Sequence, residues 1–185
     1  MQDMYYSYNT VGVIKSQICS ALANSESVRE AMDYKGVDVK YEYDEEDPMT
    51  LIYNGILPFL QDPDVIETTD PVIMIGVELR SNPTDPYLYN ANVDIVCTVD
   101  KDHLRTQKSY NRQDLLDRDG GIVCYTRADW IADEVVKCLS KHKGTWIGDI
   151  EVLVSSETPM SQTRYCRHLK LRLYDVAIGK DMQNG

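Results

Sequence analysis

The chain has 185 residues, 43% hydrophobic and 26% charged, with 30 acidic against 19 basic side chains and a net charge of −11. That length and balance are those of one globular domain, expected to bury about 70% of its extended-chain surface without a disulfide or metal staple. They exclude a protein that grips nucleic acid by charge, since such affinity comes from cations neutralising phosphates. A surface that repels phosphate does suit DNA passing by without sticking.

No apolar run approaches the roughly 18 residues of a membrane span. Met1-Gln-Asp-Met-Tyr-Tyr carries no basic stretch followed by an apolar core, so the expectation is a protein made and kept in a cytoplasm, away from membranes. Cys19, Cys97, Cys124, Cys138 and Cys166 are widely spaced. They read as small buried hydrophobes rather than a zinc knuckle or a disulfide framework.

In chain order, the first predicted element is a helix capped by Asn9 or Thr10, with Val11, Ile14, Ile18, Ala21 and Leu22 on one face. Asn24-Ser25 interrupts it, and Ser27 with Glu30 starts a short turn carrying Val28, Ala31 and Met32. Residues 33 to 71 read as an irregular arm. Val37, Val39, Tyr41 and Tyr43 alternate, then Asp44, Glu45, Glu46 and Asp47 form an acidic run, and Leu51, Ile52, Tyr53, Ile56, Leu57 and Phe59 form an apolar patch among prolines. Those apolar side chains pack either on their own core or on a neighbour.

From Val72 the pattern becomes a sheet. Val72 to Leu79 is nearly all apolar, as in a strand covered on both faces. After the Asn82-Pro-Thr-Asp-Pro86 turn, Tyr87, Tyr89, Ala91, Val93, Ile95, Cys97 and Val99 alternate with polar residues, predicting a long antiparallel partner. Residues 101 to 121 are polar and read as a loop or insertion.

Thr126 and Asp129 form a predicted capping box opening a helix with Ile131, Val135, Cys138, Leu139 and His142 inward. Lys137, Lys141 and Lys143 gather at its end, and Gly144 stops it. Two more strands follow, one with Ile150, Val152 and Val154 alternating, the other with Leu169, Leu171 and Leu173 opposite Lys170 and Arg172. Residues 179 to 185 are a polar tail. The predicted fold is one α+β domain, an antiparallel sheet of about four strands with two main helices on one face.

Motifs for chemistry are sparse. Asp117-Arg-Asp-Gly-Gly121 lacks the third oxygen ligand and closing glutamate of a calcium loop. Asp44 to Asp47 supply carboxylates, but adjacent carboxylates do not converge on one ion unaided. His103, His142 and His168 have no metal-ligand spacing, and no glycine-rich phosphate loop occurs. The expectation is therefore no enzyme, no metal and no cofactor.

Several segments are similar to a family of tailed-bacteriophage neck proteins, which join head to tail. The matching pieces are Tyr43-Asp-Glu-Glu-Asp-Pro48, Ile56-Leu-Pro-Phe59 with Asp62-Pro63, Thr126-Arg-Ala-Asp-Trp130 and Trp146-Ile-Gly-Asp149. The helix–arm–two strands–helix–two strands order also resembles tail-terminator proteins, although residues 101 to 121 are long for that layout. The resemblance implies a virion protein, assembled in the host bacterial cytoplasm as a ring of copies of itself. Portal, connector or tail proteins would be its neighbours, and genomic DNA would pass through without specific binding. On this reading Tyr43, Leu51, Ile52, Tyr53, Ile56, Leu57 and Phe59 are expected contacts, and Asp44, Glu45, Glu46 and Asp47 an acidic surface. Two other readings stand beside it. One is a small adaptor binding a protein through residues 41–60; the other is a metal-dependent enzyme acting on nucleic acid.

Overall fold

A computed structural model describes residues 3–32, 48–81, 88–103, 126–158 and 163–177. The elements are helices α1 (Asp3–Asn24), α2 (Glu26–Met32) and α3 (Arg127–Lys141), and strands β1 (Ile56–Leu57), β2 (Val72–Ser81), β3 (Leu88–Asp100), β4 (Asp149–Thr158) and β5 (Arg164–Ala177). Together they form an α+β fold, as predicted.

The first helix starts at Asp3, upstream of the expected caps Asn9 and Thr10. Its buried stripe is the predicted one, with Ile14, Ile18 and Leu22 fully enclosed. A break at Ser25 turns the chain into α2, where Val28, Ala31 and Met32 are buried. Arg29 donates from Nη1 to the Ala23 carbonyl at 2.8 Å, tying the elbow to the end of α1.

The opening of α3 is the predicted capping box. Asp129 N donates to Thr126 Oγ1 at 3.2 Å, and Thr126 N donates to Asp129 Oδ2 at 2.9 Å. Asp129 also meets Arg167 of β5 (Nη1–Oδ1 3.5 Å), so one carboxylate caps the helix and docks it on the sheet. Thr126→Ala is expected to cost about 1 kcal/mol. In a thermal melt that is a Tm fall of about 2–4 °C, with Thr126→Ser close to wild type.

The sheet order is β1-β2-β3-β5-β4. All pairs are antiparallel except β1–β2, where Ile56 and Leu57 run parallel to Ile73 and Met74. This fifth, parallel strand corrects the expected four-stranded antiparallel sheet, and it lies inside the segment predicted to be an irregular arm. Parallel neighbours require a crossover; residues 58–71 make it with a single 3-10 turn, Pro63–Val65, in place of an α-helix. The last strand enters between β3 and β4, which leaves β4 at the edge.

Helices α1 and α3 pack on the front of the sheet, α1 over β2 and α3 over β3 and β5. Between the layers lie Ile73, Ile75, Val93, Ile95, Leu169, Leu171 and Leu173, all buried. The back is split. At one end Leu57, Val72, Met74, Val96 and Cys166 form a small second cluster with Ile66. Its cover is the crossover: a Cβ at Gly76 would sit 2.8 Å from Leu60 Cδ1, so the glycine makes room for Leu60. Val72–Leu79 is thus covered on both faces only in its first half; Glu78 is exposed.

Strand β4 departs from its expected alternation. Its register with β5 shifts between Val152 and Val154, so Val152 faces Leu171 while Val154 lies beside Lys170 on the other face. A bulge of one residue does this.

Candidate functional site

The contact residues expected from the sequence separate once folded. Leu51, Ile56 and Leu57 are buried in the subunit itself. This corrects the expectation that they meet a neighbour: β1 joins the sheet, and its two side chains fill both faces there. Ile52 is half-buried against the main core. Tyr53 and Phe59 stay outside, 69% and 42% exposed, with Leu60 and Val65 also exposed nearby in sequence. Tyr43 and the acidic run Asp44, Glu45, Glu46 and Asp47 lie outside the described residues. So do Cys124, residues 104–121 of the expected insertion, Asp117–Gly121 and the 179–185 tail.

Tyr53 has φ +72, the left-handed region that bulky side chains avoid. Its amide donates to the Ile56 carbonyl at 2.8 Å, while Asn54 N and Gly55 N both donate to the Leu51 carbonyl. This tight turn launches β1 and points an aromatic residue outward where glycine or asparagine would sit without strain.

A second feature was invisible to motif reading. Arg164, at the start of β5, is 2% exposed. Its Nε donates to Thr98 Oγ1 at 3.0 Å and its Nη2 to the Asp70 carbonyl at 2.6 Å, and Nη1 donates to the Thr68 carbonyl. Thr68 and Asp70 bond each other in turn, hydroxyl to carboxylate at 2.9 Å and amide to hydroxyl at 3.0 Å. A buried cation is tolerable only when its donors are met; here backbone carbonyls of the crossover meet them. The guanidinium fastens the crossover to the sheet. The only signal in the sequence was parity, since Arg164 shares a face with Cys166 and His168.

The uncovered half of the back face carries a polar row. Glu78, Asn92, Arg172 and Glu151 stand side by side on β2, β3, β5 and β4. Asn92 Nδ2 reaches Glu78 at 3.4 Å, Arg172 Nη1 lies 3.8 Å from Glu151, and the Tyr174 hydroxyl donates to Glu151 at 2.6 Å. His168 Nε2 lies 3.0 Å from Asp94 Oδ1. These cross-strand contacts fix the strand register.

At three of the described thiols burial outweighs the nearby cations. Burial pushes Cys19 up to about 11, and raises Cys97 and Cys138 as well. Cys138 instead donates to the Ala21 carbonyl at 3.4 Å, joining α3 to α1. His142 ends α3 half-buried, its ring 5.6 Å from that of Trp146. Tyr165 is pushed up to about 12, by burial first and then by bonding to Glu157 near Asp129. Among the described residues, no three His, Cys, Asp or Glu side chains gather as a metal would require. No described helix is long and apolar enough to cross a membrane.

The profile of the YomW family matches residues 17–173, spanning helices α2 and α3, strands β1 to β4 and most of β5. The chain belongs to the YomW family. The match supports a phage association for this chain, and it assigns no place in the particle. Comparison with curated proteins gives no match.

Proposed function

We propose that this YomW-family protein is a non-enzymatic structural component of the phage neck. Copies assemble as a ring between head and tail, of the tail-terminator or head-closure type, and DNA passes through without being bound. Support comes from the segments that resemble neck proteins, the match to the YomW family and the net charge of −11. Acidic side chains toward the lumen repel phosphate and keep the channel from holding DNA.

The observation that carries the assembly reading is Tyr53. A left-handed backbone costs a bulky residue about 1–2 kcal/mol, and the Tyr53 ring stays 69% exposed. A contact to a neighbour accounts for it. Tyr53→Gly is therefore expected to stabilise the isolated subunit by about 0.5–1 kcal/mol, after the extra chain entropy of glycine is deducted. The same change is expected to weaken assembly. Sedimentation velocity and denaturant titration on the same preparation read both effects.

Wild-type protein that stays monomeric at high concentration, with neck partners present, would sink the ring. A monomer or dimer holding one stoichiometric partner would instead favour the adaptor reading.

A further inference from the structure

The end of α1, the first turns of α2 and the end of α3 surround a cleft of about 550 Å³. Its apolar lining is Ala21 and Cys138, whose Sγ donates to the Ala21 carbonyl at 3.4 Å. Ser25 and Ser27 line it too, their hydroxyls 3.2 Å apart. Glu26 and Glu30 come from α2, Lys141 and His142 from the end of α3.

That lining suits a neutral guest with an apolar body and a hydroxyl tip. An apolar cavity of about 150 Å³ already holds a benzene ring, so the cleft has room for one aromatic side chain and part of its turn. Sulfur and ammonium groups both pack favourably on aromatic rings. The serine pair offers a hydroxyl both a donor and an acceptor. Charges of both signs stand around the cleft, which singles out neither an anion nor a cation.

The chain itself displays such a guest. Among the described residues the exposed large hydrophobic side chains are Tyr53, Phe59, Leu60, Val65, Val152 and Val154. Tyr53 is the most exposed of them, and it alone carries a hydroxyl. The left-handed turn that presents it shares no residue with the cleft. At 69% exposure its ring is not seated in the cleft of its own subunit.

We propose that Tyr53 of one copy enters the α1–α2–α3 cleft of the next, with its ring on Ala21 and Cys138 and its hydroxyl on the Ser25–Ser27 pair. Knob and cleft are different surfaces, so the join is head-to-tail, the kind that closes into a ring. It rests on the ring reading and names the join within it. A tyrosine brings large contact area at a low cost in side-chain entropy, and buried aromatic anchors of this kind concentrate interface energy.

The test places the photo-crosslinking residue p-benzoylphenylalanine at position 53 of full-length protein grown in heavy nitrogen. It is mixed while dilute with light wild-type protein, concentrated and irradiated. Mass spectrometry is expected to find position 53 of the heavy chain joined to residues 21–30 or 138–142 of the light chain. Links to other parts of the light chain overturn the proposal. So does the absence of heavy-to-light links in a preparation that sedimentation shows to be oligomeric and mixed, while leaving the ring intact. A strictly monomeric protein defeats the ring reading and this join together. Independently, Tyr53→Phe keeps the ring and the turn, and is expected to weaken assembly about fivefold by loss of one hydrogen bond. In S25A/S27A protein, which lacks the partner hydroxyls, the same change is expected to do nothing. Equal weakening in both backgrounds, or in neither, overturns the pairing.

Discussion

Replacing Arg164 with methionine is expected to lower the unfolding free energy by about 3 kcal/mol, with the midpoint of denaturation falling and the slope unchanged. The methionine fills much of the stem's volume, so the loss isolates the guanidinium. Its Nε and Nη2 bonds to Thr98 Oγ1 and the Asp70 carbonyl, and its bond to the Thr68 carbonyl, disappear together. Those carbonyls belong to the crossover, and with Arg164 gone they must find water or stay unmet. Each buried acceptor left unmet costs about 1–3 kcal/mol, although the crossover can open and let water in, which holds the sum near the lower end. Opening the crossover also uncovers Val72, Met74, Val96 and Cys166. Faster hydrogen exchange confined to residues 66–74 and their β3 partners would therefore accompany the loss. A change below about 1 kcal/mol would show that the clamp is idle.

Ile56→Ala is expected to cost about 2–4 kcal/mol, the range for removing a large aliphatic side chain from a packed core. Ile56 is fully enclosed and pairs with Ile73 at the start of the parallel strand. Phe59→Ala, three residues on, is expected to change the free energy by less than about 0.5 kcal/mol, as surface substitutions do, and to show its effect in assembly. Urea titration and sedimentation of the two variants side by side separate core from contact within one apolar motif. Equal destabilisation by both would mean that Phe59 is part of the fold rather than an outward contact.

That pair of residues shows where sequence reading reached its limit. Ile52-Tyr-Asn-Gly-Ile-Leu-Pro-Phe59 advertises apolar surface and a turn, but nothing in its pattern says which side chains fold inward. The prolines leave no room for a long helix or a central strand, and β1, two residues between Gly55 and Pro58, adds to β2 at the edge of the sheet. The mixed sheet escaped prediction for the same reason: two paired residues leave no periodicity to read. Alternation with Leu169 and Leu171 puts His168 on the opposite face of its strand, but its neighbour Asp94 lies on another strand, and only the register of β3 against β5 brings them to 3.0 Å. The bulge in β4 left no mark either, because Val152 and Val154 look like one face until Leu153 is passed over.

The sequence by itself determined the elements whose causes are local. Helical spacing set the buried stripes of α1 and α3, Thr126 with Asp129 set where α3 begins, and alternation set which side chains of β3 and β5 face the core. Each depends on atoms within a few residues of one another. The tertiary structure alone decided strand order, the β1 crossover and the burial of Arg164. Alternation says which residues share a face but not which strand lies beside which. A buried cation is permitted only by acceptors some 66 to 96 residues away. Those partners meet only after the sheet has closed.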